Sequence, residues 1–111
     1  MNSHGAVASS QLGQELVDAV HRDWRTAPVS ERLRAVLAFI EKLTLEAKDV
    51  TPEDVAALRK AGLSDAAIED AIAVCSLFSV ITRIADALEF DVPGPESFAR
   101  SAQVLLKRGY A

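Results

Sequence analysis

Hydrophobic residues recur every three or four positions along most of this chain, and no stretch shows the two-residue alternation that a half-buried strand requires. Half of the 111 residues are hydrophobic, so this spacing can supply a buried face to each of several helices. We therefore predict an all-α fold with six helices. They lie near residues 4–12, 14–22, 30–47, 51–61, 64–89 and 95–108.

Capping residues and helix breakers separate these apolar stripes. Ser30 precedes the stripe of the third helix, and its hydroxyl can accept a hydrogen bond from the first turn. Thr51 followed by Pro52 marks the next start, because proline is favoured at the first helical position. Gly62 can adopt the left-handed conformation that closes a helix, and Ser64 begins the following helix at once.

The helix near 64–89 is the longest, and its middle is apolar on nearly every side. No charged residue interrupts the run from Ala71 to Thr82. A helix that is hydrophobic all round is buried on more than one side. In a chain of 111 residues this pattern predicts a subunit interface as well as a core, so we expect a homo-oligomer that forms through residues 65–89.

Composition limits the class of protein. The length predicts one domain over residues 1–111, and the single cysteine cannot form an internal disulfide, so a cytoplasmic setting is expected. Residues 1–13 lack the basic start and apolar stretch of an export signal, and no apolar run reaches the roughly 20 residues that span a bilayer. Two histidines and one cysteine are too few and too scattered for a zinc site.

A nucleic-acid partner is also disfavoured. The formal net charge is -4, which repels a phosphate backbone. Residues 55–72 have the outline of a DNA-binding helix-turn-helix, but a recognition helix presents basic and polar groups to the groove. This one presents Asp65, Glu69 and Asp70, so we reject that interpretation.

Several runs of sequence carry a family resemblance. They are DWRTAPVS at 23–30, LAFIEKLT at 37–44, VTPEDV at 50–55, LRKAGLSD at 58–65 and RIADAL at 83–88. Together they resemble the peroxidase-related alkylhydroperoxidase proteins of the carboxymuconolactone decarboxylase superfamily, over about residues 4–93. Ser79 and Thr82 depart from the pattern, since the family often has asparagine there. The resemblance implies an AhpD-like helical bundle that is incomplete at its amino-terminal side.

His4 is the catalytic residue that this resemblance implies. The family carries a C-x-x-C-x-x-x-H motif followed by glycine and apolar residues, and HGAV at 4–7 matches its end. Counting back four positions places the second motif cysteine immediately before Met1. The resemblance implies that the family reduces hydroperoxides through the cysteine pair, without a metal or organic cofactor. It also implies that this chain, as a carboxyl-terminal portion without the CxxC, is inactive.

Other interpretations stay open beside that one. Cys75 could be a lone peroxidatic thiol, although its apolar surroundings favour a packing role. Arg83 and Asp86 could shape a pocket, although an ion pair three residues apart on a helix is the ordinary explanation. The chain could be a non-catalytic helical oligomerisation or interaction subunit. The decarboxylation and lactone chemistry of the wider superfamily is a further possibility, for which no residue indicates a substrate.

Overall fold

A computed structural model describes residues 3–109, and these residues are predominantly helical. The α-helices are α1 (Ser3–Leu12), α2 (Gln14–Asp23), α3 (Glu31–Leu45), α4 (Pro52–Lys60), α5 (Asp65–Ala87) and α6 (Pro95–Arg108). A short 3₁₀ helix, Ala47–Asp49, follows α3. No strand occurs within residues 3–109, so the all-α prediction is confirmed.

Two helices, α3 and α5, end two residues before their predicted positions. After α3, Glu46 leaves helical geometry with φ -136° and the chain tightens into the 3₁₀ turn. After α5, Glu89 takes a φ of 53°, and the Phe90 N–H donates to the Ala85 carbonyl at 3.0 Å, which closes the helix in a Schellman arrangement. Because glycine usually occupies that left-handed position, a glutamate there carried no signal of a helix end.

The described residues divide into two compact units. The central unit comprises residues 29–90, and the terminal unit comprises the residues up to Pro28 together with those from Asp91 onward. In the terminal unit α1 packs against both α2 and α6. Its buried side chains are small or medium in size, and they are Ala6, Val17, Ala27 and Ala102. The single domain expected over residues 1–111 stays a prediction.

The central unit is built from α3, α4 and α5 around one hydrophobic cluster. The buried members of this cluster are Phe39 of α3, Leu58 of α4, Leu63 of the following turn and Ile68 of α5. Leu58 is the most deeply buried of them, with 2% of its surface exposed. Burial of these four side chains holds the first turns of α5 against α3 and α4.

The turn between α4 and α5 follows from its residues. Gly62 has φ +93°, a conformation that favours glycine, and the Leu63 N–H donates to the Leu58 carbonyl at 3.1 Å. The chain reverses there, and Leu63 returns to the core beside Leu58. Ser64 then caps α5, because its hydroxyl accepts a hydrogen bond from the Ala67 N–H at 3.1 Å.

A polar contact joins α3 to the start of α4. The Lys42 ammonium lies 2.7 Å from Oδ2 of Asp54, and the same oxygen accepts the Thr51 N–H at 2.8 Å. The hydrogen bond from Lys42 and then that from the Thr51 backbone hold the pKa of Asp54 below its ordinary value, since both favour the charged carboxylate.

Candidate functional site

Large apolar side chains on α5 lie exposed rather than in the core. Only Ile68, near the start of this helix, is buried, whereas six large apolar residues further along are between 43% and 67% exposed. They are Val74, Leu77, Phe78, Val80, Ile81 and Ile84. Scattered exposed apolar residues are normal, but a contiguous apolar surface marks a site of interaction. We call this set of six residues the α5 surface.

One side of α5 also forms an open groove with α3. The groove has a volume of about 720 Å³, and apolar side chains from both helices line most of it. Val36 and Ile40 come from α3, and Val74 and Phe78 come from α5. Its volume lies in the range of small-molecule sites, but its walls are two exposed helix faces. We call it the α3–α5 groove.

Cys75 lies in this groove and is half-buried. The Thr44 hydroxyl donates to the Ile40 carbonyl at 2.7 Å, and its oxygen lies 3.5 Å from Sγ of Cys75. Because a hydroxyl has one proton and Thr44 gives it to the carbonyl, the thiol is the donor in the second contact. The half-buried thiol therefore has a polar partner on the α3 side of the groove.

Arg83 and Asp70 are the charged residues among those that line the groove. They are 13 positions apart, which corresponds to about 20 Å along a helix, so they mark its two ends. The expected ion pair between Arg83 and Asp86 is wrong: the guanidinium donates to the Ser79 carbonyl at 3.1 Å, and no ion pair joins Arg83 to Asp86 in the described part of the chain. Helix side chains lean toward the amino terminus, so Arg83 reaches back to Ser79.

His4 lies in α1, in the terminal unit, and its side chain is exposed. The following residues, Gly5 and Ala6, are buried. His4 is therefore on the outer side of a helix whose next two positions pack inward. Cys75 belongs to the central unit. The catalytic role of His4 stays a prediction.

Sequence reasoning missed the contribution of α3 to the groove. Val36 and Ile40 pack against the central hydrophobic cluster and, with Thr44, also line the groove. These three residues are spaced four apart, which places them in one row along a helix. The spacing of four was the sequence signal that these residues share one helix face. The sequence does not indicate that α5 lies beside this face, because that depends on tertiary packing.

No helix within residues 3–109 combines the length and hydropathy needed to cross a bilayer. In the same residues, no three histidine, cysteine or carboxylate side chains converge as a metal site would require. Comparison with known protein-family models found no match, and a search of curated proteins found no match either. The assignment of a function therefore depends on the α5 surface, on the α3–α5 groove and on the residues around them.

Proposed function

We propose that this chain is a helical subunit that associates with a second copy of itself through α5. The observation that carries the proposal is the exposure of the six large apolar residues of the α5 surface. About half of each side chain is accessible, which amounts to roughly 500 Å² of apolar area, near the upper end of the largest patch on a typical monomer. One partner in a standard protein interface buries about 800 Å², so this surface is a substantial part of one.

Charge favours a second copy over other partners. The run from Ala71 to Thr82 has no charged residue, so two copies can bury it against each other without stranding a charge. An anionic membrane would need a basic polar face on the helix, whereas Arg83 is the one basic residue of α5. Closed symmetric dimers, in which both copies use the same surface, are the commonest oligomers.

Sedimentation velocity and light scattering over a range of protein concentrations test this function. The wild-type chain should form a discrete oligomer, and the double variant Val74→Lys with Val80→Lys should be monomeric. Val104→Lys on α6 is the matched control, since Val104 is exposed to 53%, like Val80. A wild type that stays monomeric at every concentration, or a double variant that keeps the wild-type mass, would overturn the proposal.

The resemblance supports a second proposal about chemistry. The chain would belong with the AhpD-like proteins, whose substrates are hydroperoxides, but would not itself reduce them. In support, Cys75 is the single cysteine of the sequence, so no second thiol of this sequence can resolve a sulfenic acid to a disulfide. A cytoplasmic setting is part of this proposal, because one cysteine needs no oxidising compartment.

A turnover assay tests the second proposal. Purified chain, given an organic hydroperoxide and a dithiol reductant, should show no turnover above the rate of a Cys75→Ser control. Turnover that is robust in the wild type and lost in Cys75→Ser would show that Cys75 is a peroxidatic thiol. Turnover lost in a His4→Ala variant would give the histidine a catalytic role in this chain.

A further inference from the structure

We infer that the α3–α5 groove is the contact surface between two copies, and that α5 of each copy lies antiparallel in the groove of the other. This inference rests on the proposed self-association and adds which side of α5 is used: Val74 and Phe78 of the α5 surface line the groove, and the other four residues of that surface lie outside its lining. The contact would bring α3 and α5 of both copies into one four-helix arrangement. Such bundles bury rows of side chains on facing helices.

The shape of the groove fits a helix. It is long, open and lined by apolar side chains from two neighbouring helices, and Val74 and Phe78 project as large residues from its α5 wall. Small residues lie between and beside them, at Ala71 and Cys75. Alternation of large and small side chains lets two helices approach to 8–10 Å between their axes.

Two polar groups that line the groove, Thr44 and Cys75, keep their hydrogen bonds when a partner covers them. Thr44 and Cys75 already bond to each other, and the Thr44 hydroxyl also satisfies the Ile40 carbonyl. A buried polar group is costly only when it loses its partner. A second copy that covers these two residues therefore removes no hydrogen bond. On the other side of α5, Leu77 and Val80 are exposed outside this concave surface.

The charges at the two ends of the groove set the direction. Asp70 marks one end and Arg83 marks the other. A parallel pair would place two Asp70 carboxylates at one end and two Arg83 side chains at the other, and both arrangements repel. In an antiparallel pair each end has one Asp70 and one Arg83 from opposite copies, which attract across the interface.

Two single variants test which side of α5 makes the contact. Val74 lies in the groove and is 54% exposed, whereas Val80 lies outside it and is 53% exposed. Val74→Lys should raise the dissociation constant at least a hundredfold, and Val80→Lys should change it less than threefold. If Val80→Lys separates the copies and Val74→Lys does not, self-association stands and the groove is the wrong surface. If the wild type is monomeric, the proposed function and this inference both fail.

The reactivity of Cys75 gives an independent measurement on the unmodified chain. Its modification by a maleimide should be at least tenfold slower above the dissociation constant than below it, because the partner covers the thiol. Equal rates at both concentrations would overturn the inference even if Val74→Lys failed to fold.

Charge variants test the direction. Asp70→Lys puts two cations at each end of an antiparallel pair, so it should weaken association several-fold to about tenfold, more at low salt. Asp70→Lys combined with Arg83→Glu should restore the wild-type affinity. An unchanged affinity of Asp70→Lys would overturn the antiparallel arrangement, since a parallel pair merely exchanges one like-charge repulsion for another.

Discussion

Truncation of Leu58 to alanine should strongly destabilise the central unit. Leu58 is 2% exposed and packs with Phe39, Leu63 and Ile68. The change removes three buried carbon atoms, which are worth about 0.8 kcal/mol each in transfer free energy. The cavity that remains adds to this loss, so the free energy of unfolding should fall by about 3–4 kcal/mol.

The matched control is Leu45→Ala, the same chemical change at a position that is 73% exposed on α3. It should change the free energy of unfolding by less than about 0.5 kcal/mol. Urea denaturation followed by circular dichroism measures both variants, at one protein concentration because association also stabilises the folded state. With a slope of about 1–3 kcal/mol per molar urea, Leu58→Ala should lower the midpoint by at least 1 M.

A milder change guards against complete unfolding of the first variant. Ile68→Val removes one methylene from a side chain that is 4% exposed and should cost about 0.5–1.5 kcal/mol. If Leu58→Ala and Leu45→Ala lost similar stability, or if Ile68→Val lost none, the cluster around Leu58 would not be the core of this unit.

Three further changes test local contacts. Because the pKa of Asp54 is lowered, its carboxylate contributes to stability above the ordinary value of 3.8, and this contribution is lost as the pH falls below that value. Thermal melts from pH 6 to pH 2.5 should therefore show a smaller loss of stability in acid for Lys42→Met than for the wild type. Ser64→Ala should cost about 1 kcal/mol in urea titrations through loss of the α5 cap, whereas Ser76→Ala, which removes only a bond from Ser76 to the Ile72 carbonyl, should cost nothing. Gly62→Ala should lower the free energy of unfolding by about 1 kcal/mol because φ is +93°, and Gly62→Asn, which tolerates that conformation better, should lower it less; equal losses would contradict the strain.

Helix positions were predictable because local chemistry determines them. Ser30 and Ser64 cap the helices that follow them, and Gly62 ends α4 through its positive φ. The end of α5 at Glu89 was not predictable, because it depends on a residue that rarely adopts a left-handed conformation. Local signals identify a helix end only where the residue type favours the geometry that closes it.

The candidate site was less predictable than the fold. The apolar run on α5 is evident in the sequence, but the groove also needs Val36 and Ile40 of α3. These residues line it because the cluster around Leu58 sets the position of α5 relative to α3. Arg83 shows the same limit: spacing alone favoured a pair with Asp86, whereas the direction of the side chain takes it to the Ser79 carbonyl.

Hydrophobic periodicity indicates which positions require burial, but it does not indicate which helix or which partner buries them. The first turns of α5 are covered by α3 and α4 through Ile68, while Leu77 and Ile81 further along are 67% and 59% exposed. A core of this size cannot cover every side of a helix of 23 residues, since a small unit has a high ratio of surface to volume. The first turns of α5 therefore contribute to folding, and its later turns are available for association. Leu58 variants test the first part, because Leu58 of α4 packs with Ile68, and Val74 variants test the second.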